Sequence, residues 1–125
     1  MVIKTNRAPA PIGPYNQAIK AGGMLYVSGQ ITLDPKSGEL VNNTIEVETD
    51  LVMRNLGEIL KEAGSDYSEI VKCSIFIKDM DQFSAINAVY GKFFEENYPA
   101  RETVEVGRLP KDVNVEISCI ALVKD

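Results

Sequence analysis

Apolar residues follow two different periods along this chain, and each period predicts a type of element. Alternation or short apolar runs bounded by turn residues predict strands at Gln17–Ala21, Met24–Ile31, Ile70–Lys78, Thr103–Val106 and Val113–Val123. In the third of these, Val71, Cys73, Ile75 and Ile77 share one face, which we expect to be the core face. Ile70 and Phe76 then lie on the opposite face.

Helical periodicity occurs in two segments between these strands. The first has its stripe at Val52, Leu56, Ile59, Leu60 and Ala63. We expect Asn43 with Glu46 to cap its start and Gly64 to end it. Asp81 is the expected cap of the second helix, whose stripe is Phe83, Ile86, Tyr90, Phe93 and Phe94.

The resulting order, β-β-α-β-α-β-β, predicts a two-layer α+β domain, because two helices can cover only one face of such a sheet. The other face still carries apolar residues, including Phe76, Ile120 and Leu122. An apolar face of this size is rarely left in water, so we expect it to be buried between subunits. The alternative is a monomer with loops over the sheet, although the loops are short.

Composition supports one domain over residues 1–125 and excludes several kinds of site. The chain is 45% hydrophobic, carries a net charge of −5 and contains no histidine. The negative charge disfavours nucleic-acid binding, and the lack of imidazole removes histidine catalysis and most zinc sites. No phosphate-binding glycine loop, nucleophile elbow or metal-ligand cluster is present in the sequence, so we expect no metal and no cofactor.

Cys73 and Cys119 each lie within an apolar strand. We expect buried, reduced thiols, with a disulfide or a reactive thiol as the alternative. The sequence shows no signal-peptide pattern and no run long enough for a membrane helix, so the expected location is cytoplasmic, without a membrane partner.

Arg101 and Glu116 are the first candidate site residues. Arg101 follows Pro99-Ala100 between a helix and a strand, and its guanidinium can bind a carboxylate through two hydrogen bonds. The alternative is a surface arginine that neutralises nearby glutamates. Glu116 lies mid-strand on the minority face, where a buried carboxylate needs a partner, and Arg101 is its natural neighbour. The alternative interpretation of Glu116 is a solvated glutamate without a role in a site.

Tyr15, Gly29 and Asn87 are weaker candidates. Tyr15 follows the rigid Gly13-Pro14 turn and could equally be a loop anchor. Asn87 lies on an aromatic helix stripe and could equally cap nearby backbone. Gly29 would let a ligand approach the strand closely.

Together these residues resemble the RidA (YjgF) family of reactive-intermediate deaminases along essentially the whole chain. The resemblance rests on Ile12-Gly13-Pro14-Tyr15, Ser28-Gly29-Gln30-Ile31, Asn87-Ala88-Val89-Tyr90, Pro99-Ala100-Arg101 and Leu109-Pro110-Lys111-Asp112-Val113 followed by Val115-Glu116-Ile117. The stretch from Pro99 to Ala121 is its most specific part. Thr103 departs from the pattern, because many close members carry cysteine there.

The resemblance implies a chorismate-mutase-like fold with two helices on one face of a mixed sheet, assembled as a homotrimer with clefts between subunits. It implies hydrolysis of enamines and imines, such as 2-aminoacrylate and 2-aminocrotonate, to 2-oxo acids and ammonia without a cofactor. By position, Arg101 would bind the carboxylate and Glu116 would position water. Tyr15, Gly29, Asn87 and Thr103 would line the cleft.

Two other function classes compete with this interpretation. The chain could be a non-catalytic module that binds 2-oxo acids or amino acids through Arg101, in which case Glu116 would not matter for turnover. It could also be an endoribonuclease, as some family members have been described. The net charge of −5 and the absence of histidine argue against that activity.

Overall fold

In the computed structural model, which describes residues 1–124, the chain forms six strands and two α-helices. The strands are β1 (Val2–Ile3), β2 (Ala18–Ala21), β3 (Met24–Gln30), β4 (Ile70–Ile77), β5 (Ala100–Glu105) and β6 (Val115–Leu122). The helices are α1 (Ile45–Glu62) and α2 (Phe83–Gly91). The order agrees with the predicted one, with β1 added as a two-residue edge strand.

The sheet has the strand order β1-β2-β3-β6-β4-β5. Its neighbours are antiparallel except for β4 and β5, which run parallel and are connected through α2. Both helices pack on one face, where Ile75 and Ile117 are register partners and meet the α1 stripe in the core. The two-layer α+β prediction with a mixed sheet is confirmed.

An irregularity at the start of β4 changes which residues face the core. The β4–β6 register shifts between Ile70 and Lys72. As a result Ile70 is buried in the core while Val71 is exposed. Our assignment of Val71 to the core face and Ile70 to the opposite face is therefore wrong, because a bulge moves side chains across the sheet.

The helix starts also differ from prediction. Thr44, rather than Asn43, caps α1, and its hydroxyl accepts a hydrogen bond from the Val47 N–H. Asp79, rather than Asp81, caps a short 3₁₀ turn that precedes α2. The second helix ends at Gly91. A left-handed Gly64 follows α1 as predicted, with φ 82°.

The second sheet face, called the open face from here on, is not covered by a helix in the described part of the chain. Exposed apolar side chains lie on it: Ile19, Tyr26, Val104 and Leu122. A polar group interrupts them, because Glu102 accepts hydrogen bonds from Lys72 and Ser74. None of the helices is long and apolar enough to cross a bilayer in the residues described.

Candidate functional site

Arg101 lies on the helix-covered face of the sheet and is held there by neutral partners. Its register partner on β4 is the buried Cys73, so its side chain points towards α2. The Nη1 group donates a 2.7 Å hydrogen bond to Oδ1 of Asn87. The guanidinium carbon lies 5.6 Å from the Phe83 ring centroid and 5.2 Å from that of Tyr90. These contacts fix the guanidinium without neutralising its charge.

Arg101 forms no ion pair among residues 1–124, which disfavours the alternative of a neutralising surface arginine. Glu102 pairs with Lys72 on the other face, and this contact holds the pKa of Glu102 below its usual value. The guanidinium instead borders a cavity of about 300 Å³, called the arginine cavity from here on. Its lining residues are Asn87, Tyr90, Gly91, Tyr98, Pro99 and Arg101.

Glu116 lies on the open face, because its register partner on β4 is Phe76. It borders a second cavity of about 320 Å³, the glutamate cavity, which is lined by Ile12, Tyr15, Ser28, Gly29, Ile31, Pro110 and Glu116. In the described residues its carboxylate takes part in no hydrogen bond or ion pair. Burial raises the pKa of Glu116 above its ordinary value.

Gly29 makes room for the Glu116 side chain rather than only for a ligand. A Cβ atom added at Gly29 would lie 2.7 Å from Oε2 of Glu116, which is too close for any larger residue without displacing the carboxylate. The register shift between Val27 and Gln30 places Gly29 at an irregularity of β3. The hydroxyl of Tyr15 accepts a 3.2 Å hydrogen bond from the Ile12 N–H, which orients its ring at the same cavity.

The structure therefore separates the predicted site residues into two groups. Arg101 and Asn87 share the arginine cavity, whereas Tyr15, Gly29 and Glu116 share the glutamate cavity. The expectation that Arg101 and Glu116 are neighbours is wrong within one chain. Their β4 register partners, Cys73 and Phe76, point to opposite faces of the sheet.

Thr103 lies on the same face as Arg101, since its register partner is the buried Ile75. It does not line the arginine cavity. Its Oγ1 is buried and has no hydrogen-bond partner in the described part of the chain. Buried hydroxyl groups usually have a hydrogen-bond partner. The Thr103 hydroxyl group is therefore free to form a hydrogen bond, two residues along β5 from Arg101.

Sequence reasoning missed the side chains that hold these groups in place. Phe83 and Tyr90 share the helix face of Asn87 and pack in the core as predicted, but the contact of both rings with the Arg101 guanidinium was not predicted. Glu48 was also missed. It is fully buried on α1 and accepts hydrogen bonds from the Asn114 and Val115 N–H groups at the start of β6. Its spacing of four from Val52 on the stripe was the available signal.

No group of three or more His, Cys, Asp or Glu side chains within the described range could hold a metal ion. Cys73 and Cys119 are buried free thiols, as predicted. Burial raises the pKa of both, and the two are register partners across β4 and β6.

Comparison with known proteins identifies relatives of this chain by sequence and by fold. The family model described as Endoribonuclease L-PSP matches residues 5–123. A RutC family protein of Synechocystis sp. is 51% identical, over 97% of this chain and 95% of its own. The human 2-iminobutanoate/2-iminopropanoate deaminase is 41% identical, over 97% of this chain and 88% of its own. The crystal structure of Escherichia coli TdcF with bound serine superposes with a TM-score of 0.94 at 41% identity, covering 99% of both chains.

Proposed function

The chain belongs to the Endoribonuclease L-PSP family, the YjgF/RidA family, and from this premise we propose that it hydrolyses reactive 2-enamine and 2-imine acids. The substrates are species such as 2-aminoacrylate and 2-aminocrotonate, and the products are 2-oxo acids and ammonia. One observation carries the proposal. A half-buried carboxylate of raised pKa, Glu116, has no partner among the described residues, while the Arg101 guanidinium is fixed but not neutralised.

The relatives support this reaction class. The human relative is named for deamination of 2-iminobutanoate and 2-iminopropanoate, and the TdcF structure was obtained with bound serine. Both names concern small molecules in which a carboxylate is next to a carbon bonded to nitrogen. A fixed arginine fork suits that carboxylate.

The proposed reaction needs no covalent nucleophile. The enamine first tautomerises to the imine, whose protonated C=N carbon is electrophilic. Glu116 takes a proton from water as the oxygen of the water bonds to this carbon, which gives a carbinolamine. Glu116 then returns this proton to the nitrogen, and the C–N bond breaks with its electron pair leaving on ammonia. The hydroxyl group passes its proton to the Glu116 carboxylate as the carbonyl of the 2-oxo acid forms, and Glu116 finally transfers that proton to the departing ammonia. Arg101 holds the carboxylate throughout, which is catalysis by positioning.

One chain cannot bring both groups to one substrate, because they lie on opposite faces of its sheet. We therefore propose a homotrimer in which the arginine cavity of one copy meets the glutamate cavity of the next. The exposed apolar side chains of the open face, Tyr26 and Leu122 among them, support such an assembly. Asn87 would complete the arginine side, and Tyr15 and Gly29 the glutamate side, while Thr103 lies on the same sheet face as Arg101 but outside its cavity.

A coupled assay tests the proposal. Threonine dehydratase generates the imine, and the appearance of 2-oxobutyrate is followed in the presence and absence of this protein. Faster appearance, without any effect of chelators, is the expected result. A small-acid binding module would bind 2-oxobutyrate in calorimetry but leave this rate unchanged, and that outcome would overturn the proposal.

A further inference from the structure

Tyr98 lines the arginine cavity and was not among the predicted site residues. The aromatic side chain is 66% exposed, although it lines the same cavity as Arg101 and Asn87. The other lining residues, Tyr90, Gly91 and Pro99, carry no charge. The cavity lining thus combines one charged group, Arg101, with uncharged aromatic and apolar surface from Tyr90, Tyr98 and Pro99.

Two features restrict Tyr98, a ring contact with Phe94 and the proline that follows it. Its centroid lies 6.1 Å from that of Phe94, which is buried and packs in turn against Tyr90 at 4.9 Å. Pro99 follows directly and restricts the backbone of Tyr98 to extended conformations. A ring that is exposed, packed against Phe94 and part of the cavity lining can contact a molecule bound in the cavity.

We infer that Tyr98 determines specificity by contacting the side chain of the imino acid, and that it favours apolar side chains over charged or hydroxylated ones. The inference rests on the proposed function. In a 2-imino acid the carboxylate, the imine carbon and the side chain are consecutive, so with the carboxylate on Arg101 the side chain begins close enough to reach the other residues that line the same cavity. A volume of about 300 Å³ leaves room for a branched aliphatic side chain beyond the reacting atoms.

The expected magnitude follows from the burial of apolar surface. Each methylene that leaves water for an aromatic wall is worth about a fourfold change in kcat/KM. The leucine-derived imine has three more side-chain carbons than the alanine-derived one. Of the resulting difference in kcat/KM between the two imines, a factor of about ten should depend on the ring of Tyr98. The hydroxyl group should contribute little, since the contact is made by the ring.

The test compares wild type with Tyr98→Ala and Tyr98→Phe on imines generated by an L-amino acid oxidase from L-leucine, L-alanine and L-serine. Val47→Ala, an exposed apolar position on α1 away from both cavities, is the matched control. We expect Tyr98→Ala to lose about tenfold in kcat/KM for the leucine-derived imine and less than about twofold for the alanine-derived one. Tyr98→Phe and Val47→Ala should both retain the wild-type ratios.

Calorimetry with 4-methyl-2-oxopentanoate and pyruvate on the same samples separates this inference from the proposed function. Hydrolysis by wild type with an unchanged leucine-to-alanine ratio in Tyr98→Ala would overturn the role of Tyr98 alone. No hydrolysis, but a Tyr98-dependent ratio of the two affinities, would overturn the deaminase and support the contact. Absence of both hydrolysis and binding would overturn both. Far-ultraviolet circular dichroism and the melting temperature confirm that each variant is folded.

Discussion

Arg101 and Glu116, on the two faces of the sheet, differ in the contacts that surround their charged groups. On the helix-covered face, an amide and two aromatic rings hold the guanidinium of Arg101. On the open face, the carboxylate of Glu116 has no partner in the described residues, and burial raises its pKa. Neither charge is neutralised within residues 1–124, so each remains available for a ligand. In the proposed reaction the helix-covered face would position the substrate carboxylate, whereas the open face would supply the base.

The largest expected effect comes from breaking the assembly that would join the two faces. Tyr26→Asp places a charge among the exposed apolar side chains of the open face, where burial of an unpaired carboxylate is strongly unfavourable. We expect analytical ultracentrifugation to show three times the chain mass of 13.8 kDa for wild type and a single chain for the variant. Imine hydrolysis should be lost with the assembly.

Val47→Asp is the control for this change, because Val47 is similarly exposed but lies on α1. It should remain trimeric and active. A wild-type protein that sediments as a single chain at micromolar concentration would contradict the account of the open face.

Replacement of the open-face carboxylate is expected to affect turnover more than binding. Glu116→Gln keeps the shape of the side chain but removes its basicity, so kcat should fall by about a hundredfold or more. Binding of 2-oxobutyrate, measured by calorimetry, should stay within a few-fold of wild type. Full activity in this variant would remove Glu116 from the catalytic residues.

Replacement of Arg101 on the helix-covered face is expected to affect binding more than turnover. Arg101→Lys retains the charge but loses the planar fork and the ring contacts. Arg101→Ala loses the charge as well as the fork and these contacts. Charge-assisted hydrogen bonds are worth about 1.5–3 kcal/mol, so binding of 2-oxobutyrate should weaken by about ten- to a hundredfold in both. Circular dichroism serves as the folding control. Unchanged affinity in Arg101→Ala would show that the carboxylate binds elsewhere.

The smallest effect is on the pH dependence of stability. Burial raises the folded-state pKa of Glu116 above the ordinary value of 4.5, so the folded chain retains this proton to higher pH than the unfolded chain. The resulting stability is present below pH 4.5 and is lost as the pH rises through the folded pKa. Glu116→Gln, which cannot ionise, should therefore gain relative stability from pH 4 to pH 8.

Urea unfolding in a Tyr26→Asp background measures this difference in the isolated chain. In the trimer the difference should shrink, because Arg101 of the next copy would approach the carboxylate. A difference between the two proteins that does not change with pH would contradict a raised pKa for Glu116.

The sequence predicted the two layers and all the longer strands because alternation and helical spacing are local signals. It also directed attention to Arg101, Glu116 and Gly29. It could not show that Arg101 and Glu116 lie on opposite faces, since that depends on the register of β4 with two neighbours. The bulge after Ile70, which reverses the exposure of Val71, depends on pairing in the same way.

The central claim is that the site joins Arg101 of one copy to Glu116 of the next, and subunit mixing tests it most directly. At imine concentrations below KM, where weak carboxylate binding and slow turnover both lower the rate, Arg101→Ala and Glu116→Gln are each expected to be nearly inactive. After joint unfolding and refolding in equal amounts, about a quarter of the sites in random trimers would receive both intact residues, one from each variant. The account predicts recovery of about a quarter of wild-type imine hydrolysis. Activity no greater than the mean of the two separate variants would contradict it.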